Sequence, residues 1–146
     1  MDFQQGPITS IHDYGTDADA AGLLRRGLQQ RPTSLLIPCL MEEFSRPALG
    51  LIREVLRELD GLQELVIALS AGTAEEVLQA EAFFADMPFP VRVHWTNGPA
   101  VKELLASLQE FNLEVMGPPG KGWAVWQGLG VATRQAEVVG LFDADI

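Results

Sequence analysis

The sequence is short of what several common chemistries require. It has one cysteine, Cys39. No internal disulfide can form, which places the chain by default in a reducing, cytoplasmic compartment. Its two histidines, His12 and His94, lie far apart and make a poor zinc set. There is no Cys-x-x-Cys pair and no G-x-S-x-G elbow, so neither a redox dithiol nor a hydrolase serine is signalled. The P-loop run is missing, as is a G-x-G-x-x-G fingerprint after the first strand. No apolar run approaches the roughly 18 residues that span a membrane. The opening MDFQQGPITS lacks the basic-then-apolar order of a signal peptide. Positive charge is also scarce. Ten Lys and Arg face 20 Asp and Glu, a net charge of −10, and only two of the ten are lysines. Such a surface repels nucleic acid and anionic lipid, so neither is expected as a partner. A nucleotide in one local site remains compatible with it.

The apolar fraction of 47% is too high for a disordered acidic chain, and 146 residues suffice for one domain with a real core. Residues 1–17 are polar and turn-rich and read as an N-terminal arm. Ala18–Gln30 has Leu23, Leu24 and Leu28 at helical spacing. Ser34–Ile37 is a continuous apolar run, which suits a strand covered on both faces and is expected to stop at Pro38. Ala48–Leu59 is amphipathic, and Asp60–Gly61 closes it. Leu65–Leu69 is a second buried-type strand. Thr73 and Glu76 form a capping box for a helix that reaches about Asp86. Val91–Trp95 is a third strand, and Val101–Glu110 carries a fourth helical pattern. Leu113–Met116 reads as a short extended piece, Trp123–Thr133 as a helix and Val138–Phe142 as the last strand. Strands alternating with helices predict an α/β fold of three layers, with a mostly parallel sheet of four to five strands. The division expected is an arm with a short helix at 1–33 and a main domain at 34–146.

In open sheets of this kind, ligands bind beyond the carboxyl ends of the strands. Four segments fall there. Asp143 and Asp145 follow the last strand, and two carboxylates one residue apart can share Mg2+ with a substrate's phosphates. A solvated acidic turn is the plainer alternative. Gly117–Gly122 is glycine-rich, holds Lys121 and opens a helix, an arrangement that favours an anion. The alternative there is an ordinary surface lysine. Glu42 and Glu43 follow the first strand, where Glu42 can accept from a ribose hydroxyl or a base N–H. Ser70, Gly72 and Thr73 follow the second strand at the same edge, where they can contact a nucleotide or cap the next helix, with capping the safer role for Thr73. Cys39 reads as a core thiol, and Trp95, Trp123 and Trp126 as packing residues. The chain stops directly after the acidic turn, where chemistry is expected to begin, which suggests a fragment of a longer enzyme. An uncovered sheet edge would then favour self-association into a homo-oligomer.

Taken in order, Pro38–Glu43 (Pro-x-x-x-Glu-Glu), Gly120–Ala124 (Gly-Lys-Gly-x-Ala) and Asp143–Asp145 (Asp-x-Asp) resemble the nucleotide-sugar-binding half of GT-A-fold glycosyltransferases. The pattern is most similar to the glucosyl-3-phosphoglycerate synthase and mannosylglycerate synthase group, over about residues 34–146. The resemblance implies a Rossmann-like donor half and a Mg2+ or Mn2+ cofactor. It also implies UDP-glucose or GDP-mannose as donor, and transfer of glucose or mannose to 3-phosphoglycerate or glycerate with retention. By position, it assigns Glu42 to the nucleoside, and Lys121 with Gly122 to the nucleotide and its phosphates. Asp143 falls near ribose and metal, and Asp145 on the metal. No catalytic nucleophile or base is assigned. Two departures stand out: Met41 where many relatives have Asn, and Leu69 where many have an Asp that often reads the base. The acceptor pocket and a later metal-ligating histidine of the group lie beyond the Asp-x-Asp motif. Two other functions fit the same residues: a module that binds a nucleotide or sugar phosphate without turnover, or a Mg2+-dependent nucleotidyltransferase.

Overall fold

The computed structural model describes residues 20–110 and 120–145. The expected arm at 1–17 and the extended piece Leu113–Met116 lie outside these residues. The elements run α1 (Ala20–Gln30), β1 (Thr33–Leu40), a 3-10 turn (Met41–Ser45), α2 (Pro47–Arg57), β2 (Glu64–Ser70), α3 (Ala74–Phe83), β3 (Val91–Trp95), α4 (Pro99–Glu110), α5 (Lys121–Ala132) and β4 (Val138–Leu141). The four strands form one sheet in the order β3-β2-β1-β4, and every pairing is parallel. The expected α/β class, parallel sheet and strand number all hold.

The order has a physical cause. Parallel crossovers are right-handed. Stepping outward from β1 to β2 to β3 puts α2 and α3 on one face. Returning past β1 to β4 reverses the direction and puts α5 on the other. Two cores result. Ile37, Leu65, Ile67 and Leu69 pack with Leu49, Leu56, Ala80 and Phe84 beneath the first face. Leu36, Val66 and Ala68 pack with Ala124 and Ala132 beneath α5. Strand β2 is buried along nearly its whole length, which explains its unbroken apolar run.

Pro38 does not stop β1. It lies inside the strand, opposite Ala68 of β2. Neighbouring residues of a parallel strand bond alternately to its two sides. Leu36 faces β4, since its carbonyl accepts from the Phe142 amide at 3.0 Å. Pro38, two residues on, also faces that side, and β4 has ended by then, its pairing with β1 finishing at Leu36–Leu141. The N–H that proline lacks therefore has no ladder partner to disappoint.

Helix α5 also begins earlier than its apolar pattern, at Lys121 rather than Trp123. The capping box is as expected: Thr73 Oγ1 accepts from the Glu76 amide, and the Glu76 carboxylate accepts from the Thr73 amide, both at 3.3 Å.

Candidate functional site

The strand order reverses between β1 and β4. A cavity of about 420 Å³ opens at the carboxyl ends of the strands beside this reversal. That is where an open α/β sheet offers a ligand crevice, and the size suits a small-molecule site. Each strand contributes. Pro38, Cys39 and Leu40 come from β1, with Glu43 from the turn after it; Ser70 ends β2; Thr96 and Asn97 follow β3; Ala144 and Asp145 follow β4. Helices close the sides with Val101, Lys102 and Leu105 of α4 and Lys121, Trp123 and Ala124 of α5.

The sequence-predicted residues separate here. Ser70, Lys121 and Asp145 line the cavity. Asp143 does not line it, but its carboxylate is paired with the Lys121 ammonium. Gly122 sits in the first turn of α5 and is not part of the wall. Glu42 is turned away: Arg46 donates to its Oε1 at 3.0 Å and its side chain is 63% exposed. Its neighbour Glu43 takes the inward place, with Oε2 accepting from the Leu40 amide at 2.9 Å. The 3-10 turn decides which of the two adjacent carboxylates faces in, since successive residues of such a turn lie on different sides. Position 69 does not open into the cavity: Leu69 is fully buried in the core, in register with Cys39 and Trp95. Two residues of the wall were not legible in the local pattern, Asn97 and Lys102. They follow β3 and reach the site only because β3 is in the same parallel row.

Around Lys121 stand Asp143, Asp145 and Glu43, and together they hold its ammonium above the ordinary lysine range, the hydrogen bond to Asp143 contributing most. Three carboxylates thus act on one ammonium. The amides opening α5 add a positive dipole end, and Gly120 enters that helix at φ 157 and ψ −178, a region that is essentially glycine's. Lys102, also in the cavity wall, is exposed, and among the described residues no carboxylate is paired with it. Both lysines of a chain with net charge −10 therefore line one cavity.

A hydrogen-bonded frame fixes the β3 side of the wall. Trp95 Nε1 donates to the Ala71 carbonyl at 2.9 Å, and Thr96 Oγ1 donates to the Leu69 carbonyl at 3.0 Å. Gln127 of α5 bridges His94, at 2.8 Å, and the Thr96 carbonyl, at 3.1 Å. His94 is thus bonded to a helix rather than set among metal ligands. Cys39 is buried as expected, and burial, then Glu43, pushes its thiol well above the usual range. Trp126 departs from the packing role expected of it. It is 55% exposed and stacks on Trp123 at 5.1 Å between ring centroids.

With this geometry in place, the chain can be compared with known proteins. It is 36% identical over 147 residues to a glucosyl-3-phosphoglycerate synthase of Methanococcoides burtonii, covering all of this chain and 36% of that protein. The chain resembles the glucosyl-3-phosphoglycerate synthases. A second such synthase, from Persephonella marina, is 31% identical over 150 residues, covering 99% of this chain and 36% of that protein. The chain spans 36% of the length of these curated relatives. No family model matches it. Among solved structures, a glucosyl-3-phosphoglycerate synthase from Mycobacterium tuberculosis, in complex with Mn2+, UDP and glucosyl-3-phosphoglycerate, covers 85% of this chain and 37% of that one, with 23% identity and a TM-score of 0.48. Another structure of the M. tuberculosis enzyme gives 24% identity and a TM-score of 0.49, over 86% and 39% of the two chains. Among the described residues, no helix is long and apolar enough to cross a membrane.

Proposed function

We propose that the cavity holds a nucleotide sugar with a divalent cation, as the donor site of a glycosyltransferase that moves glucose or mannose onto 3-phosphoglycerate or glycerate. The observation that carries this reading is the convergence of Lys121, Glu43, Asp145 and Ser70 at the strand-order reversal, in a chain that resembles the synthases along its whole length. UDP-glucose and GDP-mannose are the donors to test.

The chemistry of the donor set supports a cation. Three carboxylates stand around the one ammonium of Lys121, so a divalent cation beside them would favour a bound diphosphate. Among the described residues, no group of three or more His, Cys, Asp or Glu is arranged to hold a metal alone. Mg2+ or Mn2+ would be bound there by one or two protein carboxylates and completed by the ligand's phosphates. Asp145 would hold the ion, with Asp143 beside it. When bound, the ion supplies positive charge that offsets the charge developing on the departing diphosphate.

The chain's own residues do the rest. Asp143 orients the Lys121 ammonium and keeps it protonated. Lys121 and the first amides of α5 present positive potential to the phosphates. Ser70 Oγ offers the nucleoside a hydroxyl at the end of β2. Glu43, tied to the Leu40 amide, holds the β1 exit in shape around the ligand.

Calorimetric titration with UDP-glucose and with GDP-mannose, each with Mn2+ and with EDTA, tests the reading. Saturable binding that needs the metal and disappears in Asp145→Ala is the expected result. Absence of binding to both donors with Mn2+ would overturn it. Acceptor-dependent release of the nucleoside diphosphate would then separate a transferase from a module that only holds the donor.

A further inference from the structure

The carboxylates around Lys121 come from two neighbouring strands. Asp143 and Asp145 leave β4 and Glu43 follows β1, and these strands lie side by side. Their convergence sets three negative charges together, which is unfavourable unless a positive charge stands among them. The chain supplies one from a different element: Lys121, the first residue of α5, pairs its ammonium with Asp143. Asp145 and Glu43 act on the same ammonium. One positive charge against three negative ones leaves the cluster short of balance.

The pair is open to water. The Lys121 side chain is 59% exposed and that of Asp143 33%. An exposed pair of this kind holds weakly and breaks readily. The lysine stem is flexible, so its ammonium can take another partner without any movement of α5. Glu43, by contrast, is anchored by the Leu40 amide, from which it accepts at 2.9 Å. An exchangeable cation thus stands beside an anchored carboxylate.

From this we infer that Lys121 is a placeholder for the divalent cation: without nucleotide its ammonium occupies the carboxylates and competes with the ion, and with a diphosphate bound it moves to the phosphates and leaves the carboxylates to the ion. Charge favours the exchange. A divalent ion in the ammonium's place balances three carboxylates better than one ammonium does, and the released ammonium meets phosphates that carry negative charge of their own. Metal and diphosphate are then admitted together rather than separately. The inference rests on the donor-site reading above and adds to it a control on when the ion is held.

The test is Mn2+ binding to the full chain with no nucleotide present, followed by the electron paramagnetic resonance signal of the free ion. The chains compared are wild type, Lys121→Met, Lys121→Arg and Arg134→Met. Lys121→Met is expected to bind Mn2+ about threefold to tenfold more tightly than wild type, the usual scale of removing a competing positive charge at an exposed site. A lysine that served only the phosphates, or only held α5 in place, would not give this gain. Lys121→Arg keeps a charge beside Asp143 and should stay close to wild type. Arg134→Met removes the same charge from an exposed residue just past the far end of α5, roughly 18 Å away, and should also stay close to wild type. The gain should vanish when Asp145→Ala is added to Lys121→Met. A thermal melt of each variant checks that it is folded. Unchanged or weaker Mn2+ binding in Lys121→Met, a gain that survives Asp145→Ala, or an equal gain in Arg134→Met overturns the inference, as does failure of both wild type and Lys121→Met to bind the ion. Metal-dependent binding of UDP-glucose or GDP-mannose by the wild type, measured alongside, keeps the donor-site reading standing in each of those cases.

Discussion

The Lys121 ammonium is paired with the Asp143 carboxylate, joining the first residue of α5 to the segment that leaves β4. The two residues are 22 positions apart in sequence, yet the parallel row of strand ends brings them to the same crevice. Asp143, Asp145 and Glu43 all raise the Lys121 proton affinity. A lysine raised in the folded state keeps its charge through the neutral range, and the pair's contribution is lost only as pH rises through that raised value. Nucleotide affinity at fixed Mg2+ should therefore show no step from Lys121 between about pH 6 and 9. Lys121→Met should weaken metal-dependent binding of a nucleoside diphosphate on the order of tenfold or more, with the thermal unfolding midpoint almost unchanged. Titration calorimetry and a thermal melt on the same sample check both halves.

Glu42 and Glu43 should behave differently despite being neighbours. Glu43 accepts from the Leu40 amide, while the Glu42 carboxylate is paired with an exposed i,i+4 partner, Arg46. Glu43→Ala is expected to cost about 1 kcal/mol of folding stability through the lost backbone acceptor. Glu42→Ala is expected to stay within about 0.5 kcal/mol of wild type. Urea unfolding of the two variants side by side decides it.

What the sequence showed, and what it hid, follows the same division between local and long-range information. Runs such as Leu65–Leu69 are apolar without alternation because β2 is covered on both faces, and that is readable in a window of a few residues. Thr73 and Glu76 cap α3 through bonds that span three positions, equally local. The choice of Glu43 over Glu42 depends on the direction of one 3-10 turn, which adjacent identical residues cannot reveal. Pro38 sits within β1 because β4 ends short of it, a fact about a strand a hundred residues later. Lys102 and Asn97 reach the cavity only through the strand order. Their residue types carry no motif.

The buried thiol of Cys39 gives a pH dependence of definite sign. Burial and the Glu43 carboxylate hold it neutral well above the usual cysteine range. The unfolded thiol ionises near pH 8.5. The stability conferred by keeping the thiol neutral is therefore fully present below about pH 8.5 and declines as pH rises above it, with a slope of at most about 1.4 kcal/mol per pH unit. Denaturant unfolding between pH 8 and 10 should show this decline in wild type, and Cys39→Ala should remove its share of the slope even if it lowers stability at every pH. Because the thiol is kept neutral at pH 8, an alkylating reagent should label Cys39 much more slowly than a free cysteine.

Gly128 fixes how closely α5 lies on the sheet, and so where Lys121 stands over the cavity. A Cβ placed there would overlap the Leu36 side chain and come within 3.2 Å of the Ala68 Cβ. Leu36 and Ala68 are both fully buried, so neither can swing out to make room. Gly128→Val should therefore destabilise the chain by about 1–3 kcal/mol, the usual cost of overpacking. The strain can be relieved by lifting α5 from β1 and β2, which would carry Lys121 away from Asp143 and weaken ligand binding as well. Gly130 is the control on the same helix: nothing lies within 4 Å of a Cβ added to it. Gly130→Ala should raise stability by about 0.5–1 kcal/mol through helix propensity and leave ligand binding unchanged. Opposite signs for the two substitutions in urea unfolding identify packing against the sheet as the constraint at Gly128. Equal and small effects would mean that α5 is not seated tightly there and that Lys121 is positioned by its bond to Asp143 alone.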